Sequence, residues 1–215
     1  MATEEELLVP CSNFSMVSDG IFRSGYPTKK NHSFLLSLGL RSVVFLCPET
    51  YPEATKDFYK EQGILLFQVP MEGNKEPFID ISPSDVHRVL SILCDTAFHP
   101  VLVHCNKGKH RTGAVIGCLR RIQGWALSST FDEYCRFAGD KARALDQQCI
   151  ELYEPRIVCA VPERLPWWLH RRDAVSQVSS EEALAVVSDP PTSATEEKPK
   201  KEKKDKKEKS SETPS

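Results

Sequence analysis

A cysteine and an arginine six positions apart, Cys105 and Arg111, bracket the stretch His104-Cys105-Asn106-Lys107-Gly108-Lys109-His110-Arg111-Thr112-Gly113. A thiol attacks only as its thiolate, and its pKa falls from about 8.5 into the roughly 3.5–7.5 range at a helix N-terminus or beside cations. Lys107, Lys109, His110 and Arg111 supply such cations. The planar fork of Arg111 can grip two oxygens of one phosphoryl group, a geometry that a lysine ammonium lacks. Spacing alone is weak, since eight cysteines and twelve arginines in 215 residues give about 0.4 such pairs by chance. The flanks carry the weight. Val101, Leu102 and Val103 form an apolar run before the cysteine, and Thr112-Gly113 opens onto Ala114-Val115-Ile116-Gly117-Cys118-Leu119. A buried strand turning into a helix converges backbone N–H groups and the positive end of the helix dipole on one point, which suits a dianion. The expected site therefore has Cys105 as nucleophile and Arg111 as clamp, with Asn106, Lys107, Gly108, Lys109 and His110 as the phosphate-binding loop. Thr112 reads equally as a hydroxyl that steadies the leaving sulfur or as a helix-start residue. His104 reads as a loop-orienting group or a satisfied core histidine.

These residues need a scaffold, and the chain upstream alternates strand and helix patterns. Residues 1–13 read as a loosely tied arm, and 14–24 as a strand broken by a turn at Asp19-Gly20. Asn31 is expected to cap a short helix stopped by Gly39. Ser42 to Leu46 is a continuous apolar strand of the kind buried on both faces. A helix over 53–62 and a strand over 64–69 follow. Pro70 to Pro83 reads as a long functional loop, and 84–97 as a helix delivering the chain to the strand at Val101. Helices are expected over 112–123, 129–138 and 144–153. Such alternation predicts an α/β fold with right-handed crossovers, a mostly parallel sheet of four to five strands flanked by helices.

With 40% hydrophobic residues in 215, the chain can bury one sizeable core, expected over 14–173. Leu165-Pro166-Trp167-Trp168-Leu169 is expected to pack on the helical layer rather than to bind a partner. Residues 174–215 are Ser-, Glu- and Lys-rich and are expected to form a disordered, solubilising tail. A net charge of −2 gives no reason to expect nucleic acid or an anionic membrane as partner. The eight cysteines include no Cys-x-x-Cys pair, so zinc and disulfide scaffolds are poor readings and no metal or other cofactor is expected. A reactive thiolate needs a reducing compartment, and neither an apolar leader nor an 18-residue apolar run is visible. Cytoplasm, with the nucleus a second location, is the expected setting.

The stretches HCNKGKHRTG at 104–113, MEGNKEPF at 71–78 and FDEYCRFAGDKAR at 131–143, with DGIFRSGYP at 19–27 and SLGLRSVVFLCPE at 37–49, resemble the plant-and-fungal atypical dual-specificity phosphatases. The resemblance runs from about Phe14 to about Glu151. It implies the cysteine-phosphatase fold and hydrolysis of the β-phosphate of inositol pyrophosphates through a phosphocysteine; activity on phosphotyrosine peptides is the alternative. The loop at 71–79 holds no aspartate to act as general acid, although it offers Glu72, Asn74, Lys75 and Glu76, with Asp80 beyond. A departing phosphate, with a second pKa of about 6, needs little protonation, so a phosphoanhydride suits this loop. Asn74 and Lys75 are expected to contact substrate, and Lys141 and Arg143 to widen the basic rim or simply to end a helix. A phosphate-binding module without turnover is the remaining alternative, opposed by the intact Cys105 and Arg111.

Overall fold

The computed structural model describes residues 7–74, 81–155 and 161–169. Strands β1 (Ser15–Ser18), β2 (Ile21–Ser24), β3 (Ser42–Phe45), β4 (Leu65–Gln68) and β5 (Val101–His104) form one sheet in the order β1-β2-β5-β3-β4. Only the β1–β2 hairpin is antiparallel; β5 runs parallel to β2 on one side and to β3 on the other. Every residue of β3 and β5 is buried. Helices covering both faces of a parallel sheet explain why these two strands read as unbroken apolar runs rather than alternating ones.

The helices are α1 (His32–Ser37), α2 (Glu53–Glu61), α3 (Pro83–Leu93), α4 (His110–Gln123), α5 (Leu127–Ala138) and α6 (Ala144–Leu152). The central one, α4, is buried at ten of its positions and packs against α5 and α6. Gly117 makes the close approach to α6 possible, because a Cβ there would run into the Ile150 side chain.

Several boundaries differ from the sequence reading, each for a local reason. Helix α4 begins two residues before Thr112, with Lys109 at its N-cap and no side-chain cap bond. Helix α3 starts on Pro83, which lacks the N–H that a first-turn residue would leave unpaired. It ends at Leu93 because the Asp95 carboxylate takes the Ala97 amide at 2.8 Å and starts a separate 3₁₀ turn. Asn31 stands at the N-cap position of α1, but its side chain makes no capping bond to the helix. Its Oδ1 accepts from the Thr28 amide at 2.8 Å, and its Nδ2 donates to the carbonyls of Val9 and Pro10, both at 3.0 Å.

That bonding corrects the picture of 1–13 as a loose arm for the part that is described. Cys11 is buried, the Gly25 amide donates to Ser12 at 2.6 Å, and Asn13 donates to the carbonyls of Lys107 and Phe137. At the other end, Leu165 and Leu169 are buried and Trp168 is half-buried, while Trp167 is 63% exposed. Leu165, Leu169 and Trp168 carry the packing of this segment against the core, and Trp167 faces solvent. Residues 174–215, expected to be a disordered tail, lie outside the described residues.

Candidate active site

The cradle forms where β5, the middle strand, hands the chain to α4, at the carboxyl edge of a parallel sheet where ligands of such folds collect. Its backbone orientation follows from its neighbours. The carbonyl of Asn106 accepts from the Tyr26 amide at 3.2 Å, that of Lys107 from Asn13 Nδ2 at 3.2 Å, and that of Gly108 from Arg23 Nη2 at 2.9 Å. Three successive carbonyls are thereby drawn outward, which turns the peptide N–H groups the other way. Gly108 has φ +67°, and a Cβ on it would lie 2.6 Å from the Gly25 nitrogen and the Ser24 carbonyl carbon. No other residue fits that left-handed, backbone-to-backbone contact.

Cys105 is 4% exposed at the floor of the turn. Arg111 lies in the first turn of α4, its Nη1 donating to the Cys47 sulfur at 2.9 Å, while its buried Nε has no partner among the described residues. Burial pushes the Cys47 thiol up to about 11, with the Arg111 charge opposing the rise, so Cys47 stays a neutral thiol. Thr112 is fully buried, and its Oγ1 has no partner among the described residues. It stands inside the helix rather than at its cap. His104 is a core histidine: fully buried, its Nε2 3.1 Å from the Tyr51 hydroxyl, and held neutral because burial lowers its pKa to about 3.

Several of the expected contact residues also make bonds within the fold. Lys109 Nζ donates to the Ala138 carbonyl at 3.0 Å and so ties the cradle to the C-terminus of α5. Lys107 and Asn106 are exposed. Asn74 is 2% exposed, and its amide is fully engaged: Nδ2 with Asp146 Oδ1 at 2.7 Å, Oδ1 with the Ile81 amide at 2.7 Å. It clasps the long loop to α6 instead of presenting itself to a substrate, which corrects the sequence reading of Asn74. Lys75, with Glu76 and Asp80, lies outside the described residues. His110 sits at the start of α4 with Nδ1 3.0 Å from Asp146 Oδ2.

Two groups escaped the sequence reading. Arg23, 1% exposed, stacks its guanidinium 3.7 Å over the Phe137 ring while holding the Gly108 carbonyl. Its pKa falls to about 10 through burial, so it remains a cation at neutral pH. Asp146, wholly buried, joins α6 to three other segments. A lone Arg in a strand is a signal of sorts, since an inward charge needs a partner; Asp146 has no such mark in the sequence. Arg143 stands half-buried at the N-cap of α6, and Lys141 is exposed just before it. The Arg143 Nη1 donates to the Asn74 carbonyl at 3.0 Å, and a Cβ on Gly73 would stand 3.8 Å from both Arg143 Nη1 and Arg111 Nε.

A buried cysteine beneath outward-turned carbonyls, with an arginine from the following helix beside it, on a five-stranded sheet of this order, is the arrangement of the cysteine-phosphatase fold. Comparison with known proteins gives the family. The chain belongs to the tyrosine phosphatase family, whose model matches residues 8–171, and it is accordingly a phosphatase. It is 54% identical over 149 residues, 69% of this chain and 75% of the relative, to inositol diphosphatase DSP4 of Arabidopsis thaliana. It is 47% identical over 161 residues, 74% of this chain and 57% of the relative, to inositol diphosphatase SIW14 of Saccharomyces cerevisiae. The crystal structure of the core catalytic domain of that yeast PP-IP phosphatase, in complex with citrate, superposes with a TM-score of 0.66 at 48% identity, covering 69% of this chain and 89% of the other.

Proposed function

We propose that the protein hydrolyses the terminal phosphate of inositol pyrophosphates. The observation that carries this reading is the pair of guanidinium groups, Arg111 and Arg143, flanking Gly73 beside the cradle, in a chain about half identical to inositol diphosphatases. One fork grips the phosphoryl group being transferred, and the second balances the phosphate behind it. Cys105 attacks the terminal phosphorus in line, the P–O bond to the inner phosphate breaks, and the inner phosphate departs with the electron pair. The outward-drawn carbonyls leave loop N–H groups and Arg111 to hold the equatorial oxygens as charge develops. Thr112 Oγ1, buried and without a partner among the described residues, supports the sulfur when water later attacks the phosphocysteine and releases inorganic phosphate. A phosphate leaving group asks for little acid help, which fits a loop whose described residues offer Glu72 but no aspartate.

The same cradle supports phosphotyrosine hydrolysis, so the test is a direct competition. Purified protein given an inositol pyrophosphate and a phosphotyrosine peptide under one set of conditions should release phosphate far faster from the pyrophosphate. A higher kcat/KM for the peptide would assign the protein to phosphopeptides instead.

A further inference from the structure

Asp146, in the first turn of α6, is fully buried where three other segments meet. Its Oδ1 accepts from Asn74 Nδ2 at 2.7 Å; its Oδ2 accepts from the Tyr134 hydroxyl at 2.6 Å and faces His110 Nδ1 at 3.0 Å. Two of these donors are oriented by bonds of their own. Asn74 Oδ1 takes the Ile81 amide, so the NH₂ must point at Asp146. The Tyr134 oxygen takes the Arg143 amide at 3.0 Å, leaving its proton for Asp146. Each carboxylate oxygen thus accepts a donor already, and the contact with the imidazole is satisfied when Nδ1 carries the proton. Proton exchange with the surroundings then falls to Nε2. A buried carboxylate is costly unless every lone pair is used, and a merely structural clasp could be built from neutral groups.

We propose that Asp146 is a positioning residue for phosphoryl transfer, fixing the His110 ring as its Nδ1–H form beside Arg111 and tying the 71–74 stretch to the cradle through Asn74. When Nε2 is protonated, the ring adds a positive charge to the first turn of α4, where phosphate charge must be balanced. His110 is faced by Asp146 of α6, by Arg143 at the N-cap of α6, by Tyr134 of α5 and by Lys109 on its own segment. Burial is the main cause lowering its pKa below 6.5, Arg143 and Lys109 add to that, and the Asp146 hydrogen bond and charge oppose it. Asp146→Asn therefore moves the His110 titration to still lower pH.

The inference rests on Cys105 and Arg111 as nucleophile and clamp, not on the leaving group, so an aryl phosphate serves as probe. On the full chain, kcat/KM for para-nitrophenyl phosphate against pH should show a limb that falls as His110 loses its proton and is absent in His110→Gln. In Asp146→Asn that limb should move to lower pH, with kcat/KM at neutral pH down roughly ten- to a hundredfold. The Asp146→Asn/His110→Gln double variant should lose much less than the product of the single losses. Nitrogen-15 spectra of histidine-labelled wild-type protein, assigned by comparison with His110→Gln, should show the Nδ1–H form at His110. An Nε2–H form there, an unmoved limb in Asp146→Asn, or strictly multiplicative losses would overturn the assignment. A shifted limb with the aryl phosphate, found together with negligible pyrophosphate turnover, would support Asp146 while removing the diphosphate reading.

Discussion

Cys105 and Arg111 work only because other residues fix the backbone between them. Arg23 and Asn13 each hold a cradle carbonyl from the outside, at 2.9 and 3.2 Å, and Gly108 lets the loop lie directly on the backbone of 24–25. A preformed cradle separates binding from chemistry. Cys105→Ser should abolish turnover yet retain substrate, since the N–H groups and the Arg111 fork remain. Arg111→Ala should lose both, and Arg111→Lys should recover little, because an ammonium cannot bridge two oxygens. Single-turnover phosphate release paired with calorimetric binding distinguishes these outcomes; turnover in the serine variant would remove Cys105 as nucleophile.

At the scale of the element, β5 carries the cost of delivering a polar residue through the core. Its last residue, His104, is fully buried beside Tyr51, Phe45 and Tyr26, and desolvation lowers its pKa to about 3 from an ordinary 6.5. The unfolded chain therefore binds a proton that the folded chain refuses. Stability is complete above about pH 6.5 and declines as pH falls toward 3, by on the order of 4 kcal/mol from this residue. His32, His99 and His110 are also lowered by burial and act in the same direction. Urea midpoints measured from pH 7 to pH 3.5 should fall steeply for the wild type and less steeply for His104→Asn; equal slopes would show that His104 is not the buried neutral group.

For the whole molecule, the boundary of the folding unit matters more than its mass. Cys11, Ser12 and Asn13 are joined to the core, to Gly25 and to the cradle, consistent with a family match that begins at residue 8. A chain starting at 14 should lose roughly 3 kcal/mol or more, from the hydrogen bonds that Val9, Pro10, Ser12 and Asn13 make to the rest of the fold and from a buried thiol. It should lose catalytic rate as well, because the Lys107 carbonyl is released. A chain ending at 173 should keep both melting temperature and turnover, as the composition of 174–215 offers little apolar surface to bury. Melting curves and phosphate release on the two truncations check this, and a large loss on removing 174–215 would show that this segment docks on the domain.

Chemistry carried by neighbours in the chain was open to the sequence: a thiol, a glycine and a guanidinium within seven residues, preceded by an apolar strand and followed by a helix, define a phosphate cradle through spacing and local backbone geometry alone. The alternation of patterns likewise indicated a parallel α/β sheet, because strands buried on both faces read as unbroken apolar runs. Where local bonding competes with pattern, the reading slipped by a few residues: α4 starts at His110 because the turn itself, and no side chain, launches the helix. Long-range partnerships were beyond it. Asn74 reads as a ligand-facing amide until Asp146, 72 residues on, takes its NH₂. Lys109 also reaches the Ala138 carbonyl, and Arg23, which drew no reading in the sequence, is enclosed by Gly108 and Phe137. A buried polar group is defined by what satisfies it, and only the packing of distant segments decides which partner arrives.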